Sequence, residues 1–218
     1  MRPHAQTYDW AKFRGSAEAL KYACRDLATL DQAVKYTPGR RAAVQAGGNL
    51  GIFAHHLART FATVYTFEPS PKLFPLLMAN APEANIIRFQ AALGETRGEL
   101  VAMAQVRRCP SKGTAHEGIT HIAGPGVIPT IRLDDLALPI CDLLVLDLEG
   151  WELYALRGAA ETIRRCKPTL LVEINQNVEF YGLTRDSVRD LILGHGYRCV
   201  TRIYSDELFV PLEAEAAA

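Results

Sequence analysis

Glu68 lies 21 residues beyond Gly47, and the chain between them can bring a carboxylate to the mouth of a glycine turn. Ala42-Ala43-Val44-Gln45-Ala46 is a short apolar run that enters Gly47-Gly48-Asn49-Leu50-Gly51. A helical pattern follows from Ile52 to Phe61, and a second strand-like run, Val64-Tyr65-Thr66-Phe67, ends on Glu68-Pro69. Strand, glycine turn, helix and strand ending in an acid is how a doubly wound sheet holds an adenosine. The glycines let backbone approach a ligand with no Cβ in the way, and the acid meets the ribose hydroxyls. A nucleoside cofactor is the expectation, although any tight strand-to-helix turn can use glycines. Gly47, Gly48 and Gly51 give G-G-x-x-G, a poor match to the three-glycine dinucleotide fingerprint. No G-x-x-x-x-G-K-[ST] run exists, which excludes a phosphate-cradling P-loop.

A second group of acids follows the run Asp142-Leu143-Leu144-Val145-Leu146: Asp147, Glu149 and, after Gly150-Trp151, Glu152. Carboxyl ends of strands line the ligand crevice of an open α/β sheet, so Asp147 and Glu149 belong there. A carboxylate at that place can take a proton from a substrate hydroxyl or help hold a metal. The competing reading is that either acid caps the next helix. Glu152 reads as a helix N-terminal charge that complements the dipole. Glu173, at the end of Thr169-Leu170-Leu171-Val172, reaches the same crevice, with Ile174-Asn175 behind it, and could equally be structural. His55 and His56 fall on the first helix after the glycine turn and read as surface or packing residues and not as ligands. His116 and His121 fall in an irregular stretch from which a side chain could swing over a substrate, though a solvated loop histidine is the commoner case. No His, Cys or Asp grouping has metal-finger spacing, and no nucleophile elbow is present.

The elements that must position these groups alternate as a parallel sheet requires. Strands are expected at 42–46, 63–67, 86–91, 142–147 and 169–174, and helices at 50–60, 71–79, 152–165 and 184–194. Tyr197–Ile203 and Glu207–Pro211, joined by Tyr204-Ser205-Asp206, suggest a closing antiparallel hairpin. Residues 1–41 are polar and helix-like, with an amphipathic pattern over 17–33 stopped by Thr37-Pro38-Gly39. They read as a cap over the sheet edge or the cofactor mouth, preceding a domain at 42–212 and a tail at 213–218. Residues 105–130 read as a long irregular loop, of the kind that is functional or mobile.

Composition narrows the class. The chain has 218 residues, half of them apolar, enough for one α/β domain with a sizeable core. Its 24 basic and 24 acidic residues balance, so no whole-chain basic field points to nucleic acid. Cys24, Cys109, Cys141, Cys166 and Cys199 are odd in number and never spaced C-x-x-C, which argues against a disulfide framework or a zinc knuckle and for a reducing, cytoplasmic setting. The first residues contain no apolar signal region, and no apolar run reaches the roughly 18 residues of a membrane span.

Taken in order, the motifs resemble a family. Val44-Gln45-Ala46-Gly47-Gly48-Asn49-Leu50-Gly51, Phe67-Glu68-Pro69-Ser70-Pro71, Phe89-Gln90-Ala91-Ala92-Leu93-Gly94, Leu133-Asp134-Asp135-Leu136, Leu146-Asp147-Leu148-Glu149-Gly150-Trp151-Glu152, Leu156-Arg157-Gly158-Ala159, Lys167-Pro168 and Val172-Glu173-Ile174 together resemble the FkbM family of S-adenosylmethionine-dependent methyltransferases. The likeness runs from about residue 42 to residue 200. It implies an α/β, doubly wound, Rossmann-like class I methyltransferase fold: seven mostly parallel strands, the last one antiparallel, with helices on both faces. It implies S-adenosylmethionine as cofactor. Gln45, Ala46, Gly47, Gly48, Asn49 and Gly51 would meet its methionine part, Glu68 and Pro69 its ribose, Ala91, Ala92 and Leu93 its adenine, and Asp147 its sulfonium methyl. The members are usually O-methyltransferases of sugars or natural products, so the resemblance implies a small-molecule or glycan hydroxyl as acceptor. Two positions depart from the family's D-x-G-A-N-x-G: Gln45 replaces the acid that holds the cofactor's amino group, and Gly48 replaces Ala.

The reaction expected is in-line methyl transfer to oxygen, with the protein positioning both reactants. Asp147 is the first candidate base, with Glu149, Glu173 and His116 behind it. Three other readings stay open. A methyltransferase fold that no longer catalyses is favoured by Gln45; a nicotinamide oxidoreductase lacks its glycine fingerprint; nucleic-acid methylation lacks a basic run with interleaved aromatics, although Arg107, Arg108 and Lys112 could form a small anion patch. The sequence leaves a homo-oligomer open.

Overall fold

The computed structural model describes residues 10–15, 17–106 and 119–212. Helix α1 (Ala17–Tyr36) comes first, then β1 (Ala42–Ala46), α2 (Ile52–Ala58), β2 (Thr63–Phe67), α3 (Phe74–Asn80), β3 (Ile86–Phe89), β4 (Ala92–Leu93), β5 (Leu100–Val106) and β6 (Ile119–Ile131). After them come β7 (Leu143–Leu146), α4 (Glu152–Arg157), α5 (Ala160–Cys166), β8 (Thr169–Glu173), α6 (Arg185–Gly194), β9 (Tyr197–Ile203) and β10 (Asp206–Pro211). Seven strands form one sheet in the order β3-β2-β1-β7-β8-β10-β9. The first five of these pair in parallel; β10 runs antiparallel to both β8 and β9. This is the doubly wound, mostly parallel arrangement with an antiparallel last strand.

The central strands are buried on both faces, which is why β1 and β7 carry unbroken small and apolar runs and not an alternating pattern. Successive residues serve opposite cores: Val44, Leu144 and Leu170 pack on one face with α4, α5 and α6, while Ala43, Leu143 and Leu171 pack on the other with α1 and α2. Leu27, Leu30 and Ala33 of α1 are fully buried in that second core, and the helix touches α2, β8 and β10. The strand order turns back between β1 and β7. Ligands of open sheets bind at such a reversal, outside the carboxyl ends of the strands.

Two expectations need correction. Residues 105–130 are not one irregular loop. Their described part belongs to β5 and β6, an antiparallel pair that joins β4 in a second sheet ordered β4-β6-β5. Of the prolines and glycines that suggested a loop, Gly124, Pro125 and Gly126 lie where the ladder bulges, and Pro110, Gly113 and Gly118 lie outside the described residues. The register shifts at Val101, and Gly126 lies so close to Val101 and Ala102 that a Cβ there would come within 2.3 Å of backbone. Val101, Ile122 and Ile128 give this sheet its own small core. The helix expected at 152–165 is two helices, α4 and α5, broken at Gly158-Ala159. At the break Asp134 accepts hydrogen bonds from Glu161 N, Thr162 N and Thr162 Oγ1, anchoring the first turn of α5. Among the described residues no helix is long and apolar enough to cross a membrane.

Candidate functional site: a carboxylate-lined crevice at the sheet reversal

The turn after β1 is built to be tight. Gly47 N and Gly48 N both donate to Phe67 O, at 3.1 and 2.8 Å, which folds the turn over the end of β2. Gly47 has φ +86°, and a Cβ there would lie 1.9 Å from the carbonyl oxygen of Asp147, so β1 and β7 leave the sheet in contact. Gln45 is buried, and both ends of its amide are engaged: Nε2 donates to Gly47 O at 2.7 Å, and Oε1 accepts from Thr66 Oγ1 at 2.7 Å. An aspartate in its place could accept but not donate, so Gln45 fastens the turn in a way an acid could not. Ala46 is fully buried behind it. Asn49 sits in the left-handed region at φ +47°, and its N–H donates to Glu68 Oε2 at 2.6 Å.

Glu68 is the hinge of this half of the site. It is 3% exposed, and Ser70 N donates to its other oxygen, Oε1, at 2.7 Å. Burial lifts its carboxyl to about 7, against the pull of the Ser70 and Asn49 amides. Each oxygen keeps a lone pair for a further donor. Pro69 is buried after it, and Phe67 stacks on Phe89 at 4.6 Å between ring centres, aligning β2 with β3. Beyond β3 the buried Ala91, Ala92 and Leu93 cross into the second sheet. Gly51, at φ +83°, lets α2 start against the backbone of Leu77.

Four carboxyls meet at the carboxyl ends of β7 and β8. Asp147 is half-buried; desolvation first, then the charges of Glu173, Glu149, Asp206 and Glu152, hold its carboxyl well above the usual range. Glu149 has φ +54° and Gly150 φ +100°, two consecutive left-handed residues that turn the acid back toward the crevice. Its Oε2 accepts from Asn177 Nδ2 at 2.6 Å, and burial raises it to about 7. Glu152, 1% exposed, accepts from Leu148 N and Gly150 N through Oε1, while its Oε2 has no hydrogen-bond partner; burial and Glu173 raise it to about 8. Glu173 accepts from Ser205 Oγ at 3.0 Å, its Oε2 receives no donor, and its carboxyl lies within hydrogen-bonding reach of Asp147. The sequence read Glu152 as a helix N-terminal charge; it is the first residue of α4, and its carboxyl is buried against the Leu148 and Gly150 amides.

An open cavity of about 510 Å³ is bounded by Glu99, β5, β6 and the aromatic rings of Trp151, Phe180 and Tyr181. Trp151 Nε1 donates to Leu93 O at 2.9 Å, tying the cavity wall to the end of β4. Its ring stacks on Tyr154 at 4.1 Å and meets Tyr181 edge-on at 5.0 Å. Tyr181 donates to Ile122 O at 3.0 Å, and burial, helped by the charges of Glu152 and Glu149, raises its phenol. His121 belongs to β6 and stacks on Phe180 at 4.8 Å; burial lowers its pKa. It therefore lines the cavity from a strand and not from a loop. His116 lies outside the described residues.

The structure thus brings Asp147, Glu149 and Glu173 to one place, with Gln45 to Gly51 and Glu68 beside them. Sequence reasoning missed Trp151, Asn177, Phe180 and Tyr181. Their signal was faint: the last three fall on the short 3-10 turn Gln176–Tyr181, capped by Asn175, which accepts from Asn177 N at 2.7 Å.

Comparison with known proteins places these features in a wider set. The sequence profile of the methyltransferase FkbM domain matches residues 45–199. No curated protein matches the chain. The crystal structure of methyltransferase FkbM from Methylobacillus flagellatus KT is similar at a TM-score of 0.50 and 15% identity, over 92% of this chain and 56% of that one, so this chain spans little more than half its length. Magnesium protoporphyrin IX methyltransferase from Synechocystis PCC 6803, solved with bound SAM, is similar at a TM-score of 0.45 and 15% identity, over 97% of this chain and 95% of that one.

Proposed function

The chain belongs to the FkbM methyltransferase family, and on that footing we propose that it is an S-adenosylmethionine-dependent O-methyltransferase acting on a hydroxyl of a small molecule or sugar. One observation carries the reading: the buried Glu68 carboxyl, held by Asn49 N and Ser70 N, directly follows β2, one strand from the β1–β7 reversal beside which Asp147 stands. The residues suit the cofactor chemically. Glu68 has lone pairs left for a diol, Ala91 to Leu93 offer an apolar edge for a purine, and the acids beyond β7 match a positive sulfur.

S-adenosylmethionine supplies an electrophilic methyl group. The protein's own work is to hold the acceptor oxygen in line and to take its proton. Asp147 is the base in this reading: with its carboxyl well above the usual range, its carboxylate binds a proton firmly once formed. Glu173 and Glu149 keep that carboxyl high by repulsion, and either could pass the proton outward. Asp147→Asn would remove the acceptor of that proton while preserving the shape, and turnover on an acceptor should fall by about 100-fold or more. Gln45 serves the site by fastening the turn, leaving the cofactor's amino group to backbone carbonyls.

Calorimetric titration with S-adenosylmethionine and S-adenosylhomocysteine tests the reading, with Glu68→Ala beside the parent. Binding that Glu68→Ala abolishes is expected. A folded parent that binds neither compound would refute the assignment and favour a methyltransferase fold without catalysis.

A further inference from the structure

The cavity beside β5 and β6 is walled by rings that hold one another. Tyr154 backs Trp151, and His121 lies on Phe180, two pairs stacked at 29° and 22° between planes. Tyr181 meets Trp151, Tyr154 and His121 edge-on, so one phenol ties the two pairs together. Its hydroxyl is spent as a donor on Ile122 O. Most of the remaining lining is aliphatic: Leu100, Val101, Ile122, Ala123 and Pro125. At about 510 Å³ the space has the size of a small-molecule site. An aromatic wall with an aliphatic remainder favours a flat ring, which can stack on the one and cover the other.

Polar side chains in the lining are few. Glu99 carries its one formal charge; it is exposed, and its Oε2 accepts from Thr96 Oγ1 at 2.6 Å. No Lys or Arg among the described residues lines the cavity, so a ligand carboxylate or phosphate finds no counter-charge. His121 is the other polar group. Burial lowers its pKa, which keeps the imidazole neutral near pH 7. Its Nδ1 is enclosed and makes no hydrogen bond, and Nε2, bonded to no described residue, is left for a ligand. A sugar brings several hydroxyls, and each one left unpaired on burial costs about 1–3 kcal/mol. One free imidazole nitrogen satisfies a single hydroxyl.

Three ties connect the cavity wall to the parts assigned to the reaction. Trp151 Nε1 rests on Leu93 O, at the edge proposed for the purine. Trp151 also follows Asp147 and Glu149 in the turn after β7. Phe180 and Tyr181 share the segment Gln176–Tyr181 with Asn177, whose Nδ2 donates to Glu149. We propose that this cavity is the acceptor subsite and takes an uncharged, dihydroxylated aromatic ring, stacked against Trp151, Phe180 and Tyr181 with one hydroxyl on His121. This rests on the methyltransferase reading and narrows its acceptor from small molecules and sugars to polyphenols. His121 positions the ring through a hydroxyl other than the one methylated, whose proton goes to Asp147 in that reading.

The test is calorimetry on the full chain near pH 7, with and without saturating S-adenosylhomocysteine. The probes are resorcinol, hydroquinone and naphthoresorcinol, each beside its dimethyl ether, and methyl glucoside. At least one diol should bind about ten-fold or more tighter than its ether. His121→Phe keeps a ring against Phe180 and removes both nitrogens. It should erase that preference and leave the heat of S-adenosylhomocysteine binding unchanged. Should it not fold, Phe180→Ala takes its place and should weaken diol and ether alike. The proposal is overturned if no diol outbinds its ether, or if the variant that folds leaves diol binding as it was. It is equally overturned if His121→Phe weakens S-adenosylhomocysteine as much as the diol, or if methyl glucoside binds as tightly as the best diol. Diols that bind as expected to a folded chain that takes no S-adenosylhomocysteine would instead count against the methyltransferase reading.

Discussion

Glu152 shows how one buried carboxyl couples the crevice to pH. Its value rises from 4.5 to about 8, chiefly through burial. Between these values the folded chain keeps a proton that the unfolded chain gives up. The stability that the protonated form lends is whole below 4.5 and is lost as pH climbs through about 8. Glu152→Gln imitates the protonated group and keeps Oε1 for the Leu148 and Gly150 amides. Without cofactor, the variant should unfold with the parent near pH 5 and be more stable by about 1–3 kcal/mol near pH 8.5, as thermal melts would report. Parallel pH profiles for the two proteins would contradict this. Some of these residues were readable in advance. Glu68 and Asp147 declare themselves because the strand that precedes each is short, apolar and ends at an acid. Asn177 does not, since its place depends on a turn that only tertiary packing brings beneath Gly150. Gln45 was visible as a departure, but its role as a donor to Gly47 O required coordinates.

Elements carried most of the legible pattern where burial is two-sided. The parallel strands read as unbroken apolar runs, and each ends within one residue of its expected bound, apart from β3, which stops two short at Phe89 before the chain changes sheets. The β5–β6 ladder was opaque because Gly and Pro punctuate it and its alternation is broken by the shift at Val101. The break between α4 and α5 was equally hidden: Gly158 has an ordinary φ of −72°, so nothing local forces the helix to stop. Its reason is contact, since a Cβ at Gly158 would lie 1.9 Å from Gly94 O in the turn after β4. Gly158→Ala should therefore destabilise the fold by about 2–4 kcal/mol in urea unfolding, although alanine favours helix. A neutral or stabilising outcome would mean that the turn after β4 yields freely.

At the scale of the whole molecule, α1 is part of the main body. Leu30 is fully buried among residues of the central sheet and α2. Leu30→Ala should cost about 2–5 kcal/mol of stability while leaving the heat of S-adenosylhomocysteine binding unchanged in the folded fraction; a change in that heat would tie α1 to the cofactor mouth. The alternation of strands and helices foretold the doubly wound sheet because a crossover chain must place helices on both faces. It was silent on the second sheet, which the chain enters at β4, two residues after β3 leaves the first. Trp151 stands where the two sheets meet, its indole N–H on Leu93 O and its ring on the cavity wall. The chain has only two tryptophans, Trp10 and Trp151. Light emitted by Trp151 therefore comes from the boundary between the edge proposed for the cofactor and the aromatic cavity, and with Trp10→Phe the protein carries its own optical gauge of what enters there.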